Sequence, residues 1–193
     1  MPANRMKRPE NENRPPKRVL ALLFDGVEEI EAVTPIDLLR RAEIETTTAS
    51  TTPNLQVVGR SGIAIEADAL IGELAGDSFD VLFIPGGPGV LALLENDAIL
   101  DLIRTYERDE RWIAAICAAP KVLAQAGVLD ERPATSHASV RPDLPRPSDD
   151  AVVVANRIIT SQGAGTAIPF ALSLIASIAS ETEAEAIAAS IHA

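Results

Sequence analysis

Three kinds of side chain in this sequence could carry out chemistry together: a lone thiol, an early run of carboxylates and one histidine. Cys117 is the only cysteine and sits in "IAAICAAP" (113–120), among small apolar residues. Small neighbours suit a tight turn that presents the thiol. A helix beginning near Ala118 would aim free N–H groups and its positive end at the sulfur, favouring thiolate below the usual ~8.5. The same N–H groups could hold an oxyanion formed when a thiolate attacks a carbonyl. The competing reading is a buried, inert cysteine filling a core. In "DGVEEIE", Glu28 and Glu29 suit the first turn of a helix as ordinary partners of its dipole. Glu31 instead falls beside the apolar stripe, where a carboxyl is costly unless protonated or paired. A protonated Glu31 beside a thiolate would donate a hydrogen bond to it. His137, twenty residues after Cys117, is a solvated loop histidine if alone and a proton carrier if the fold brings it to the thiol.

Two glycine stretches invite a nucleotide reading and do not sustain it. "PGGPG" (85–89) lacks the Gly-Lys-Ser/Thr of a phosphate-binding loop, and "GAGTAI" (163–168) lacks a third glycine and a downstream acidic residue on a strand. Both read as turns where backbones approach closely, and no cofactor is expected.

Strand-like and helix-like segments alternate around these residues. "VLALLF" (19–24), "FDVLFIPGG" (79–87) and "WIAAIC" (112–117) are apolar runs of buried-strand length. "EEIEAVTPIDLLRRA" (28–42) has helical spacing, with Ile30, Val33, Ile36 and Leu39 as its apolar face. "IETTTAS" (44–50) is strand-like, and "VVGRSGIAIEAD" (57–68) suggests a small excursion of short strands. "PGVLALLENDAILDLIRTYERDE" (88–110) reads as helical, and "AAPKVLAQAGV" (118–128) as a helix closed by Gly127. Residues 131–151 hold four prolines and read as loop. "AVVVANRIITSQGAG" reads as a hairpin turning at Ala155-Asn156, followed by two last helices. Alternation of this kind, with strands apolar on both faces, predicts an α/β three-layer sandwich: a mostly parallel sheet with helices on both faces. In such sheets ligands bind beyond the carboxyl ends of the strands. The acidic run, "PGGPG", Cys117 and "SQGAGT" each directly follow an apolar strand, so parallel strands would gather all four at one edge.

Composition narrows the classes. At 193 residues the chain suits one domain, and its 47% hydrophobic but 3% aromatic content implies a core of Ala, Val, Leu and Ile. No apolar run reaches the ~20 residues needed to span a bilayer. Residues 1–18 are polar and proline-rich with six Lys/Arg against two Glu, and read as a disordered basic leader before one domain at 19–193. The net charge of −11 then leaves −15 on that domain, a surface that repels nucleic acid and anionic membrane. A single cysteine excludes an intrachain disulfide, and with two histidines it leaves no Cys/His zinc site. A cytoplasmic protein is expected.

Taken together, "DGVEEIEAVTPIDLLRRA", "DVLFIPGGPG", "AAICAAP" and "TSQGAGTAIPFAL" resemble the ThiJ/PfpI superfamily, in the branch of the parkinsonism-associated protein deglycase and its bacterial homologues. The resemblance runs from about Val19 to the C-terminus. It implies a flavodoxin-like fold, usually in a homodimer. It also implies a nucleophilic Cys117 on a strained elbow, a protonated Glu31 on its sulfur, and backbone donors at Gly86, Gly87 and Ala118. His137 matches a histidine near the thiol in part of the branch. Implied activities are cofactor-free conversion of methylglyoxal to lactate, removal of early glyoxal adducts from proteins and nucleotides, and oxidation-linked, chaperone-like protection. A peptidase of the superfamily would carry histidine beside the nucleophile, where this chain has Ala118. Other departures are Ala164 in place of proline, and Arg60 one residue before the position of an arginine that reaches the partner subunit's site. Gly59 and Glu66 stand where accessory cysteines would be. Small reactive aldehydes or glycated molecules are the expected partners.

Overall fold

The computed structural model describes residues 17–193, and within them strand and helix alternate from the first element. In chain order these are β1 (Arg18–Leu23), α1 (Glu29–Arg41), β2 (Glu45–Ser50), β3 (Gln56–Val58), β4 (Ala64–Glu66), β5 (Ala69–Leu70) and β6 (Val81–Ile84). After them come α2 (Val90–Leu94), α3 (Asp97–Arg108), β7 (Trp112–Ile116), α4 (Pro120–Gln125), β8 (Val152–Ala155), β9 (Ile158–Ser161), α5 (Ala167–Ile178) and α6 (Glu181–Ile191). Seven strands form one sheet in the order β5-β2-β1-β6-β7-β9-β8, and β3 pairs with β4 in a separate ribbon. Every pairing in the large sheet is parallel except β8 with β9, an antiparallel hairpin at the edge.

The apolar runs become inner strands because helices cover both of their faces. All of β6 and β9 is buried, as is β1 beyond Arg18 and β7 beyond Trp112. The helices pack in two groups, α1 with α5 and α6, and α2 with α3 and α4. Phe83 of β6 meets Phe170 of α5 with ring centroids 5.8 Å apart, joining sheet to helix layer. This is the flavodoxin-like sandwich expected from the sequence. Strand order reverses between β1 and β6, so the crevice beyond their carboxyl ends is where such a fold places its ligand.

Several local expectations are corrected. Arg18 begins β1 rather than ending a leader: its backbone N–H donates to Asp80 at 2.9 Å and its guanidinium lies over the Phe79 ring. Lys17 also pairs with Asp80, while residues 1–16 of the expected leader lie outside the described residues. The stretch 88–110 is two helices, because the Asn96 side chain accepts from the Ile99 N–H and caps a new start. The largest difference is in α1. Ile36 and Leu39 are buried and Glu31 points inward as expected, but Ile30 and Val33 are 54% and 49% exposed and Glu29 is buried as well. The helix has turned its carboxylates, not its first apolar residues, toward the protein.

Candidate active site

The first turn of α1 explains where its acids go. Glu28 is the N-cap, its carboxylate accepting the Glu31 N–H at 2.8 Å, a more specific role than the dipole partner expected of it. Glu29 does more than face a dipole. Its Oε1 accepts the Ser61 N–H at 2.8 Å, tying the β3–β4 ribbon to α1, and a Cβ at Gly59 would lie 2.3 Å from that oxygen. The absence of a side chain at 59 therefore makes room for Glu29. Pro35 has no N–H to give the Glu31 carbonyl one turn back, so the helix is loosened at the residue that enters the site.

Cys117 sits at the end of β7 with φ of +65°, a left-handed conformation that costs a non-glycine residue about 1–3 kcal/mol. Two backbone bonds hold it there: its N–H donates to the Ser161 carbonyl at 2.9 Å, and its carbonyl accepts the His137 N–H at 2.8 Å. The elbow is thus clamped between β9 and the proline-rich loop. Glu31 reaches it from α1 and is 2% exposed. Gly86 permits this contact, since a Cβ there would fall 2.3 Å from Glu31 Oε2 and 2.5 Å from Cys117 Cβ. A methyl placed at Gly163 would lie 3.5 Å from Glu31 Oε1, 3.9 Å from Cys117 Sγ and 3.9 Å from His137 Cδ2. Carboxyl, sulfur and imidazole therefore converge on one point, at the mouth of an open cavity of about 600 Å3.

Electrostatics couples the first two. Burial pushes Glu31 up to about 7, reinforced by the charge of Glu28 and opposed by the Cys117 thiol and the N–H groups of Gly86 and Ala164. None of these closes a well-formed hydrogen bond on Glu31 Oε2, which is buried and unpartnered. Burial also pushes the Cys117 thiol up to about 12, helped by the Glu31 charge and opposed by the Ala118 and Gly87 N–H groups. The expectation that a helix end lowers this thiol is not met. The helix α4 starts only at Pro120 and has six residues, and an ionised Glu31 outweighs the two N–H groups. Glu31 acts in opposite senses in its two states, however. Once it takes the proton, its repulsion of a thiolate ends and its O–H becomes a donor to sulfur. Between about pH 7 and about pH 12 the pair holds one proton, which rests on sulfur, and passing it to Glu31 is what would free a thiolate.

The expected backbone donors divide between the two groups. Ala118 and Gly87 N–H act on sulfur, whereas Gly86 N–H acts on Glu31. His137 lines the cavity with Cys117, and so do two residues whose part in the site the sequence did not give. Ser139 bonds the His137 ring. Arg60, whose displacement from the family's position left it without an assigned role, brings a positive charge to its own chain's cavity. Ser139 had only the two-residue spacing from His137 as a signal, and nothing along the chain links Arg60 to position 117. Among the described residues no group of three or more His, Cys, Asp or Glu is placed to hold a metal ion, and no helix is long and apolar enough to cross a membrane.

A parallel α/β sandwich with a left-handed cysteine elbow and a buried glutamate at its switch point defines a class of thiol-bearing proteins, and comparison with known proteins shows which one. The family model described as the DJ-1/PfpI family matches residues 17–177, and the chain belongs to that family. It is 37% identical over 177 residues to Protein dj-1beta of Drosophila melanogaster, covering 89% of this chain and 95% of that protein. It is 36% identical over 157 residues to the glutathione-independent glyoxalase DJR-1.2 of Caenorhabditis elegans, covering 78% and 82%. The solved structure of oxidized Toxoplasma gondii DJ-1 superposes with a TM-score of 0.88 at 35% identity, covering 91% of this chain and 97% of that one.

Proposed function

We propose that this chain is a cysteine-dependent, cofactor-free enzyme that converts reactive 2-oxoaldehydes to 2-hydroxy acids, or acts by the same thiol attack on early glycation adducts, as part of a cytoplasmic stress response. The observation that carries the reading is the convergence of Cys117 Sγ and Glu31 Oε1 on one point of the open cavity. A relative named a glutathione-independent glyoxalase supports it.

The sulfur adds to the aldehyde carbon with the pair's proton on Glu31, and the new alkoxide takes that proton, giving a hemithioacetal. A base, Glu31 or His137, removes the hydrogen on that carbon, forming an enediolate whose oxygen the Gly87 and Ala118 N–H groups can hold. The proton returns to the neighbouring carbon while the hydroxyl proton passes to that carbon's oxygen, leaving a thioester. Water releases the 2-hydroxy acid and restores the thiol. The test is methylglyoxal loss without added glutathione or metal, wild type beside Cys117→Ser. Turnover only by the wild type is expected.

The unpartnered Glu31 Oε2 beside sulfur favours a second use of the site, an oxidation sensor. A protonated Glu31 would donate to a sulfinic acid on Cys117 and retard further oxidation. Intact mass after mild peroxide should show two added oxygens on Cys117, and no stable adduct of that kind would eliminate this use.

We further propose a homodimer through the outer face of α1. Ile30 and Val33 are about half exposed there, and Ile63 of the neighbouring ribbon is 57% exposed. Light scattering should give twice the chain mass for the wild type and the chain mass for Ile30→Glu/Val33→Arg. A monomeric wild type would end this part of the reading.

A further inference from the structure

The mechanism above leaves two candidates for the base, and the hydrogen bonds of the imidazole separate them. His137 Nδ1 lies 2.8 Å from Ser139 Oγ and receives the Ser139 backbone N–H at 3.3 Å. A backbone amide can only donate, so Nδ1 presents its lone pair, and the Ser139 hydroxyl at the same nitrogen donates as well. The neutral ring then carries its hydrogen on Nε2. That atom adjoins Cδ2, the ring atom nearest the point shared with Cys117 Sγ and Glu31 Oε1.

We infer that Ser139 is a positioning residue that fixes His137 as its Nε2–H tautomer, so that His137 gives a hydrogen bond to a substrate oxygen while Glu31 alone serves as base. The inference rests on the proposed aldehyde chemistry and deepens it. In the hemithioacetal, the hydrogen on the sulfur-bearing carbon leaves as a proton to the Glu31 carboxylate. Its electron pair forms the carbon–carbon double bond and the former ketone becomes an enolate oxygen. His137 Nε2–H bonds that oxygen and keeps its own proton. Glu31 then returns the proton to the second carbon. A neutral imidazole used as a donor in this way avoids carrying a second proton out of the site.

The chain has two histidines, so both rings can be followed in a long-range nitrogen–proton spectrum of histidine-labelled protein, with His192→Gln supplying the assignment. Spectra are taken at rising pH until the ring nitrogen shifts no longer change, which observes the neutral ring. The expected wild-type pattern has Nε2 protonated and Nδ1 bare. In Ser139→Ala, where only the longer backbone bond remains, a fraction of the Nδ1–H tautomer should appear, and Ser139→Thr should restore the wild-type pattern. For methylglyoxal, Ser139→Ala should lower kcat about tenfold with KM changed less than about twofold, the size of one weakened hydrogen bond in the transition state. A wild-type ring protonated on Nδ1, or a ring unchanged in Ser139→Ala, would overturn the inference. Because the spectrum needs no turnover, it tests the tautomer even if the aldehyde chemistry itself fails.

Discussion

Replacing Cys117 with alanine should lower kcat/KM for methylglyoxal by at least about 10^3-fold and leave the protein folded. The size follows from what remains in the cavity. Glu31, His137 and Arg60 can move protons or hold charge, but neither possible nucleophile among them is well placed: Glu31 is buried where its neutral form is favoured, and the His137 Nδ1 lone pair is engaged by Ser139. The Gly87 and Ala118 N–H groups stay in place, yet without an attacking sulfur there is no oxyanion for them to stabilise. The fold survives because Cys117 is only partly buried and its clamps are backbone bonds, to Ser161 and from His137, that alanine keeps. Alanine bears the same left-handed strain as cysteine at φ of +65°. Thermal unfolding should therefore shift by only a few degrees. One further change is expected: the Cys117 thiol pulls Glu31 downward, so in the variant Glu31 should titrate higher than about 7. Titration of a carboxyl-labelled sample would show this, and retention of more than about a tenth of the wild-type activity would refute the nucleophile.

How much of this was legible in the sequence depends on which physics fixes each feature. The inner strands were readable because burial on both faces demands unbroken apolar runs, and 19–24, 79–84 and 112–116 contain little else. Their shared edge followed from the parallel sheet those runs imply, which is why Cys117, the "PGG" turn and the acidic run could be placed together. The orientation of α1 was not readable. Only the inward Glu31 was, from its place beside the apolar stripe; the same spacing points to Ile30 and Val33, yet these face outward and Glu29 faces inward with Glu31. Each buried acid has a local reason, a ribbon N–H for one and a thiol for the other, and such reasons come from segments tens of residues away. Sites break the hydrophobic pattern because they need charge where packing alone would put carbon. The same limit hid Ser139, whose importance depends on a ring orientation, and Arg60, which reaches the cavity because its ribbon is bonded to Glu29, Val27 and Asp25.

Glu31→Gln should separate catalysis from stability, moving them in opposite directions. Glutamine keeps the shape and can donate an N–H to sulfur, but it cannot take a proton from carbon, so kcat should fall about 10^2- to 10^4-fold. Stability responds through the raised carboxyl. In the unfolded chain Glu31 releases its proton near 4.5, whereas in the folded protein it holds it up to about 7. Between those values the folded state binds more protons than the unfolded state, so stability falls as pH rises through the window and is lowest, for this group, above pH 7. A 2% exposed side chain with an unpartnered oxygen makes the cost real, on the order of 2 kcal/mol after allowance for the open cavity beside it. Glutamine carries no such cost. Unfolding of the two proteins should therefore nearly coincide at about pH 4.5, and the variant should be the more stable at about pH 8. The lowered carboxylates, such as Asp68 on Thr48 and Arg40, weaken both proteins equally in acid and cancel in the difference. A difference that does not change with pH would mean that Glu31 titrates in the folded protein as it does in the unfolded chain, and a carboxyl that does not hold a proton beside the sulfur could not pass one to the new alkoxide.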